Sequence, residues 1–185
     1  MAFTRDQGLV LLNEHIKNQN LIKHSYAVEA VMKRFAPKFQ GNVEEWALTG
    51  LLHDLDWEKT QKTPDQHTIM SEKILVDAGV APHIVKAIKV HNFAHGLVPE
   101  TDMEKVLYYV EELTGLVTAC ALVNPEKLAG VKVDSVLKKL KQLSFAKGVN
   151  RELIAQAPAA LNMTLEQIIQ EVLESMLAIR GELGL

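Results

Sequence analysis

One segment constrains the fold more than any other. From Val106 to Val123 the chain is apolar nearly all the way round, interrupted at its centre by the adjacent pair Glu111-Glu112. A helix that is apolar on every side belongs in a core. An ionised carboxylate held there costs several kcal/mol unless it is paired or binds a cation. One or both glutamates therefore need a partner, Glu111 on the face of Leu107 and Thr114, Glu112 on that of Tyr108 and Gly115. The rest of the chain reads the same way. No stretch alternates apolar and polar residues as a half-buried strand would, so the expectation is an all-α helical bundle without a sheet. At 185 residues it is one domain, 1–185, with a core of about 20–123 and a C-terminal helical segment of about 124–185.

Capping signals divide the bundle. Thr4 with Gln7 opens a helix to about Lys17, a second runs from about Asn20 to Phe35 before Pro37, and Asn42 caps a third to about Leu55. A polar loop, Glu58 to Gln66, leads to a fourth helix from about His67 to Ala78, ended by Gly79. Pro82 opens a fifth that reaches His91, and Thr101 or Asp102 caps the long sixth through Val123. Asn124-Pro125 restarts a short helix, Asp134 begins another to about Leu143, and Gly148 breaks the chain before a last helix of about Leu165 to Arg180.

Composition then excludes classes. Hydrophobic residues at 48% and charged residues at 23% allow a sizeable core and rule out disorder as the main state. Twenty Lys plus Arg against 23 Asp plus Glu, net charge -3, argue against a protein that tracks a nucleic-acid backbone. The single cysteine, Cys120, excludes a Cys-rich zinc site and an internal disulfide, which fits a cytoplasmic setting. Met1 to Val10 has no apolar run of a secretory signal, and the longest uncharged stretches, Leu113 to Pro125 and Leu153 to Leu165, are shorter than the roughly 20 residues of a membrane helix. The last helix carries a broad apolar face that packs on the core or on a second copy of the chain.

The seven histidines are what remains. His24 lies three residues after Leu21 and four before Val28, on a buried stripe. Asp54 continues the stripe of Ala47 and Leu51 beside His53; His91 follows Ile84 and Ile88; His67 opens the stripe of Met70 and Ile74. His15 and His83 have polar neighbours and read as surface. Imidazoles and carboxylates without thiolates suit Zn, Fe, Mn, Ni or Co. Asp56 and Glu58 support this set or begin a solvated loop. The basic run Lys138-Lys139-Leu140-Lys141, with Lys147 and Arg151, reads as a solvated face.

His24, then His53-Asp54, then an acidic residue in a late long helix resembles the HD-domain superfamily of metal-dependent phosphohydrolases. Leu51-Leu52-His53-Asp54-Leu55-Asp56 and Glu111-Glu112-Leu113-Thr114-Gly115-Leu116 look like a bacterial and archaeal branch of predicted HD hydrolases. The similarity covers about Leu21 to Val123, and Val133 to Arg151 also looks like that branch. The resemblance implies one divalent ion (Mn, Fe, Co, Ni, Zn or Mg) on His24, His53, Asp54 and Glu111, the last standing where the family usually has Asp. His67 and His91 occupy places comparable to the extra histidines of binuclear members. His95 substitutes for a missing neighbour, because the pair here is His91-Asn92. These three would hold a second metal or a substrate phosphate. The implied activity is hydrolysis of a small phosphorylated metabolite or nucleotide, with Asp54 orienting the attacking water. Two other outcomes of the resemblance are a non-catalytic HD-like module that binds a nucleotide or a partner around a structural metal, and a di-iron oxygenase.

Overall fold

A computed structural model describes residues 3–185 and is helical throughout, with no strand among the described residues. Met1 and Ala2, where the stretch read for a secretory signal begins, lie outside them. The helices are α1 (Arg5–His15), α2 (Gln19–Phe35), α3 (Val43–Leu52), α4 (Trp57–Thr60), α5 (Ile69–Asp77), α6 (Pro82–His91), α7 (Asp102–Leu122), α8 (Val133–Leu140), α9 (Arg151–Leu161), α10 (Leu165–Ala178) and α11 (Arg180–Leu183). No described helix is long and apolar enough to cross a membrane.

Thr4 with Gln7 and Thr101 with Glu104 form reciprocal capping boxes at α1 and α7, where the sequence places caps, and the structure adds a third box, Thr164 with Gln167, at α10. Thr101, not Asp102, is therefore the cap of α7. Asn42 Oδ1 accepts from the backbone N–H groups of Glu44 and Glu45 to start α3.

The stretch read as a polar loop, Glu58 to Gln66, begins inside the short helix α4, and three further departures from the sequence pattern each have a local cause. α3 ends at Leu52 rather than Leu55, so Asp54 sits in the turn after the helix and not on its stripe. α5 begins at Ile69 rather than His67, because Thr68 takes a left-handed backbone (φ 72) that no helix can pass through. His67 thus precedes the helix, and Met70 is 42% exposed; the buried face of α5 is Ser71 and Leu75. α9 lies where the pattern shows only a break, with Pro158 inside it. Asn150 supplies its cap by accepting from the N–H groups of Glu152 and Leu153.

Two cores meet at α2. One, made of α1, α3, α5 and α6, includes Leu12, Leu51, Leu52, Leu75 and Ile88. The other gathers Val28, Phe35, Leu107, Val110, Leu116, Ile154, Ile169 and Met176 from α2, α7, α9 and α10, so the C-terminal helices share a core with α2 and α7. Arg34 on α2 and Lys38 in the turn just after it pair with Glu171, and Arg34 also with Glu174, tying this end of α2 to α10. The contact between α2 and α3 depends on Gly50: a Cβ there would stand 2.6 Å from Val28 O and 2.9 Å from Glu29 Cα. That close approach brings His24 and His53 together.

Arg151, left by the sequence on a basic face, has another use. Its guanidinium donates to the carbonyls of Leu140, Gln142, Phe145, Ala146 and Val149, closing the loop between α8 and α9.

Candidate metal centre

Five separate segments deliver imidazoles and carboxylates to one region: His24 from α2, His53 and Asp54 from the end of α3 and the turn after it, His67 from the turn before α5, His91 from the end of α6, and Glu111 from α7. His24 Nε2 is 2.9 Å from Glu111 Oε1, 3.3 Å from His53 Nε2 and 3.7 Å from Asp54 Oδ2; His53 Nε2 is 3.5 Å from that same oxygen. The other oxygen of Asp54 faces the opposite way. Its Oδ1 is 3.3 Å from His67 Nε2 and 3.6 Å from His91 Nε2, and those two nitrogens are 3.2 Å apart. Asp54 therefore stands between two donor groups, His24, His53 and Glu111 on one side, His67 and His91 on the other. The groups His24, His53, Glu111 and His53, Asp54, His91 each bring their ligand atoms within 4.8 Å of one another.

The Nδ1 side of each ring explains why the Nε2 atoms point inward. His53 Nδ1 donates to Gly50 O at 2.8 Å and His91 Nδ1 to Ile88 O at 2.5 Å. His67 Nδ1 donates to Asp56 Oδ1 at 2.7 Å. His24 Nδ1 is 3.3 Å from Thr114 Oγ1, whose hydroxyl donates to Glu111 O at 2.8 Å and so has a lone pair left for the ring. Protein partners that take the Nδ1 proton leave Nε2 as a lone pair, the arrangement that fixes histidine ligands around metals. Lone pairs 3.2–3.3 Å apart repel unless a cation or a proton lies between them. The donor set thus fits a divalent metal: nitrogen and carboxylate oxygen, no thiolate, and orienting partners already in place.

Protons fill the same role when no metal is bound. Burial works against a charged His24, but its hydrogen bond with Glu111 and the charges of Glu111 and Asp54 raise it to about 9. His67 is likewise raised to about 9, against burial, by Asp54 and Asp56. His53, fully buried and flanked by other imidazoles, is pushed down to about 4. Burial opposes ionisation of Asp54, yet His53 and the hydrogen bonds of His67 and His91 hold it well below the usual carboxylate range. Glu111 is lowered by His24 against the same opposing burial. Burial and the charge of Glu111 raise Glu112 to about 7. No lysine or arginine pairs with Asp54, Asp56 or Glu111 among the described residues.

Asp56 settles the question left open by the sequence. It is 1% exposed and accepts from His67 Nδ1 and from the backbone N–H groups of Thr68 (3.2 Å) and Ser71 (2.9 Å). Those bonds hold the left-handed turn at Thr68, a costly backbone for a β-branched residue. Glu58 instead accepts from the N–H groups of Lys17 and Asn18, away from the centre. His95 lies apart from the ligand atoms: its Nε2 is 2.9 Å from Thr68 Oγ1 and 2.9 Å from His67 O, behind the turn. Asn92 also turns to backbone, donating to Pro64 O and His67 O. His83 pairs with Glu45 on another face.

The centre lines a cavity of about 330 Å³ whose walls include Leu21, Trp57, Phe93, Tyr108, Glu112 and Leu153. Sequence reasoning gave no place to Gly50 or Trp57 and named Asn92 only as the neighbour of His91. Gly50 meets Val28 and Glu29, and Asn92 donates to Pro64 O and His67 O, contacts with residues remote in sequence, while Trp57 was visible as an aromatic following the His-Asp pair.

Fold and site together define a class: an all-helical protein in which histidines and an aspartate from separate helices converge on a candidate divalent-metal centre. The family model described as HD domain matches residues 21–114, and the chain belongs to that family. The matched span contains all six converging residues, from His24 to Glu111. Metal-dependent phosphohydrolysis is the general activity of that superfamily. Neither curated proteins nor solved structures gave a match to this chain.

Proposed function

We propose that this chain is a metal-dependent phosphohydrolase that acts on a small phosphorylated metabolite or nucleotide in a cytoplasmic setting. The observation that carries this reading is the position of Asp54 between two groups of inward-facing Nε2 atoms at the floor of an open cavity. His24, His53, Asp54 and Glu111 would hold one divalent ion; His67 and His91, sharing Asp54, would hold a second or meet the substrate phosphate. A divalent ion supplies Lewis acidity to a phosphoryl oxygen and makes water a nucleophile near neutral pH.

The chain's own residues do the rest. Asp54, kept ionised, can accept a hydrogen bond from the attacking water and orient it. Asp56, through its bond to His67 Nδ1, keeps that ring's Nε2 turned to the centre. Thr114 does the same for His24. Glu111 in place of the family's usual Asp adds one methylene, and its contact with His24 at 2.9 Å keeps it within reach of the donor set.

Metal analysis of the purified protein, followed by phosphatase assays with Mn, Co, Ni or Mg, tests the reading. Bound metal and metal-stimulated release of phosphate are expected. A protein that binds no divalent ion and hydrolyses no phosphoester overturns it.

A further inference from the structure

We infer that the ligand of this cavity is a phosphate monoester with a single phosphate group and a flat aromatic ring as its other half. This rests on the hydrolase reading and concerns the walls of the site rather than its floor. The groups able to meet phosphate charge, the imidazoles of His24, His67 and His91 and any ion that they and Asp54 would hold, all lie at the floor. None of the lining side chains is a lysine or arginine, and beside Asp54 and Glu111 at the floor there is a third carboxyl, Glu112. A second phosphate would extend away from the floor into walls that offer it no cationic partner, although recognition of such groups relies on lysine or on bidentate arginine. Its desolvation would go uncompensated.

The walls instead suit carbon. Leu21, Trp57, Phe93, Tyr108 and Leu153 line the cavity, and three of the five are aromatic. Trp57 meets His67 edge to face at 4.8 Å, and Tyr108 meets Tyr109 in the same manner at 4.8 Å, so both rings are fixed by neighbours. Phe93 is different: it stands at the start of a short turn between α6 and α7, lines the cavity, and is 52% exposed. An aromatic ring left half in water at the mouth of a site is a platform on which a flat ligand ring can stack. The cavity, about 330 Å³, is at the small end of ligand sites, enough for one ring and one phosphate. The balanced reaction is the addition of water to phosphorus, cleavage of the P–O ester bond, and release of the hydroxyl compound with inorganic phosphate.

The test compares the metal-loaded full chain on phenyl phosphate and a nucleoside 5′-monophosphate against glycerol phosphate and the matching nucleoside di- and triphosphates. Calorimetry of phenylphosphonate against methylphosphonate runs in parallel and reads ligand choice without turnover. The aromatic monophosphates should give the higher kcat/KM, and phenylphosphonate should bind more tightly. Phe93→Ala should raise KM for the aromatic substrates at least about fivefold, the lower limit for a lost base-stacking platform. The rise should be smaller for glycerol phosphate, so that the aromatic preference narrows, and Phe93→Tyr should restore it. Equal or better use of triphosphates, or equal binding of the two phosphonates, overturns the inference while leaving the hydrolase reading standing. Tighter phenylphosphonate binding without hydrolysis of any phosphoester supports the ligand class and overturns the hydrolase reading.

Discussion

Replacing Asp56 by asparagine changes one atom's chemistry in a buried carboxylate that touches no substrate, and the consequences can be worked from its three bonds. Oδ1 accepts from His67 Nδ1 at 2.7 Å and from the N–H of Thr68 at 3.2 Å, while Oδ2 accepts from the N–H of Ser71 at 2.9 Å. An amide can keep one of these ends. In its better orientation the carbonyl stays with His67 and Thr68, and the NH2 group faces the N–H of Ser71, two donors opposed in a buried site. Leaving such a donor unsatisfied costs about 1–3 kcal/mol. For a chain of this length that corresponds to a fall in Tm of about 2–12 °C. The second effect is at the metal. Without a carboxylate on Nδ1, His67 is a weaker and less firmly oriented ligand, and loss of such outer partners lowers metal affinity about 10–100-fold. Thermal unfolding and calorimetric titration with Mn measure the two effects separately. If Asp56→Asn leaves both Tm and Mn affinity at wild-type values, the role given to this carboxylate is wrong.

Further outcomes follow from the same geometry. Gly50→Ala forces a methyl to within 2.6 Å of Val28 O and should lower stability by about 1–3 kcal/mol while separating His24 from His53; a variant with native Tm and native metal affinity would contradict the close-packing argument. His24 and His67 are held near 9 in the metal-free protein, above the ordinary 6.5, so they stabilise the fold fully below pH 6.5 and lose that contribution as pH rises toward 9. Metal needs the same nitrogens unprotonated, so the Tm gain on adding Mn should grow over pH 7–9, and differential scanning calorimetry that finds it constant or shrinking rules out competition between protons and metal. Glu111→Gln should weaken metal binding at least about tenfold, whereas Glu111→Asp should retain it and raise hydrolysis. Should Glu111→Asp change neither metal content nor turnover while a nucleotide still raises Tm, the chain is better described as a nucleotide-binding module.

What the sequence made legible follows the range of the forces involved. The caps at Thr4 and Thr101 are local, and α1 and α7 begin where they stand. The buried stripe that holds His24 is likewise a property of one helix. Extrapolating a stripe fails where the helix has already ended: Asp54 and His67 reach the centre from turns, and the left-handed Thr68 that releases His67 is held in place by Asp56 twelve residues away. Gly148 does break the chain, but α9 follows it directly and escaped notice because Pro158 is a breaker by local rules, whereas packing of Ile154 and Ala157 in the α7 and α10 core overrides it. Asp56 looked no different from a loop carboxylate, since its three donors come from residues 67–71 and only the folded turn assembles them.

The central claim is that Asp54 lies between two sets of metal ligands. An anomalous-scattering crystal structure of the Mn-loaded chain tests it most directly. The expected result is an anomalous peak beside Asp54 Oδ2 within bonding distance of His24, His53 and Glu111, with any second ion beside Oδ1 and reached by His67 and His91. A fully loaded crystal with no peak against Asp54, or with its ions held by other side chains, would contradict it.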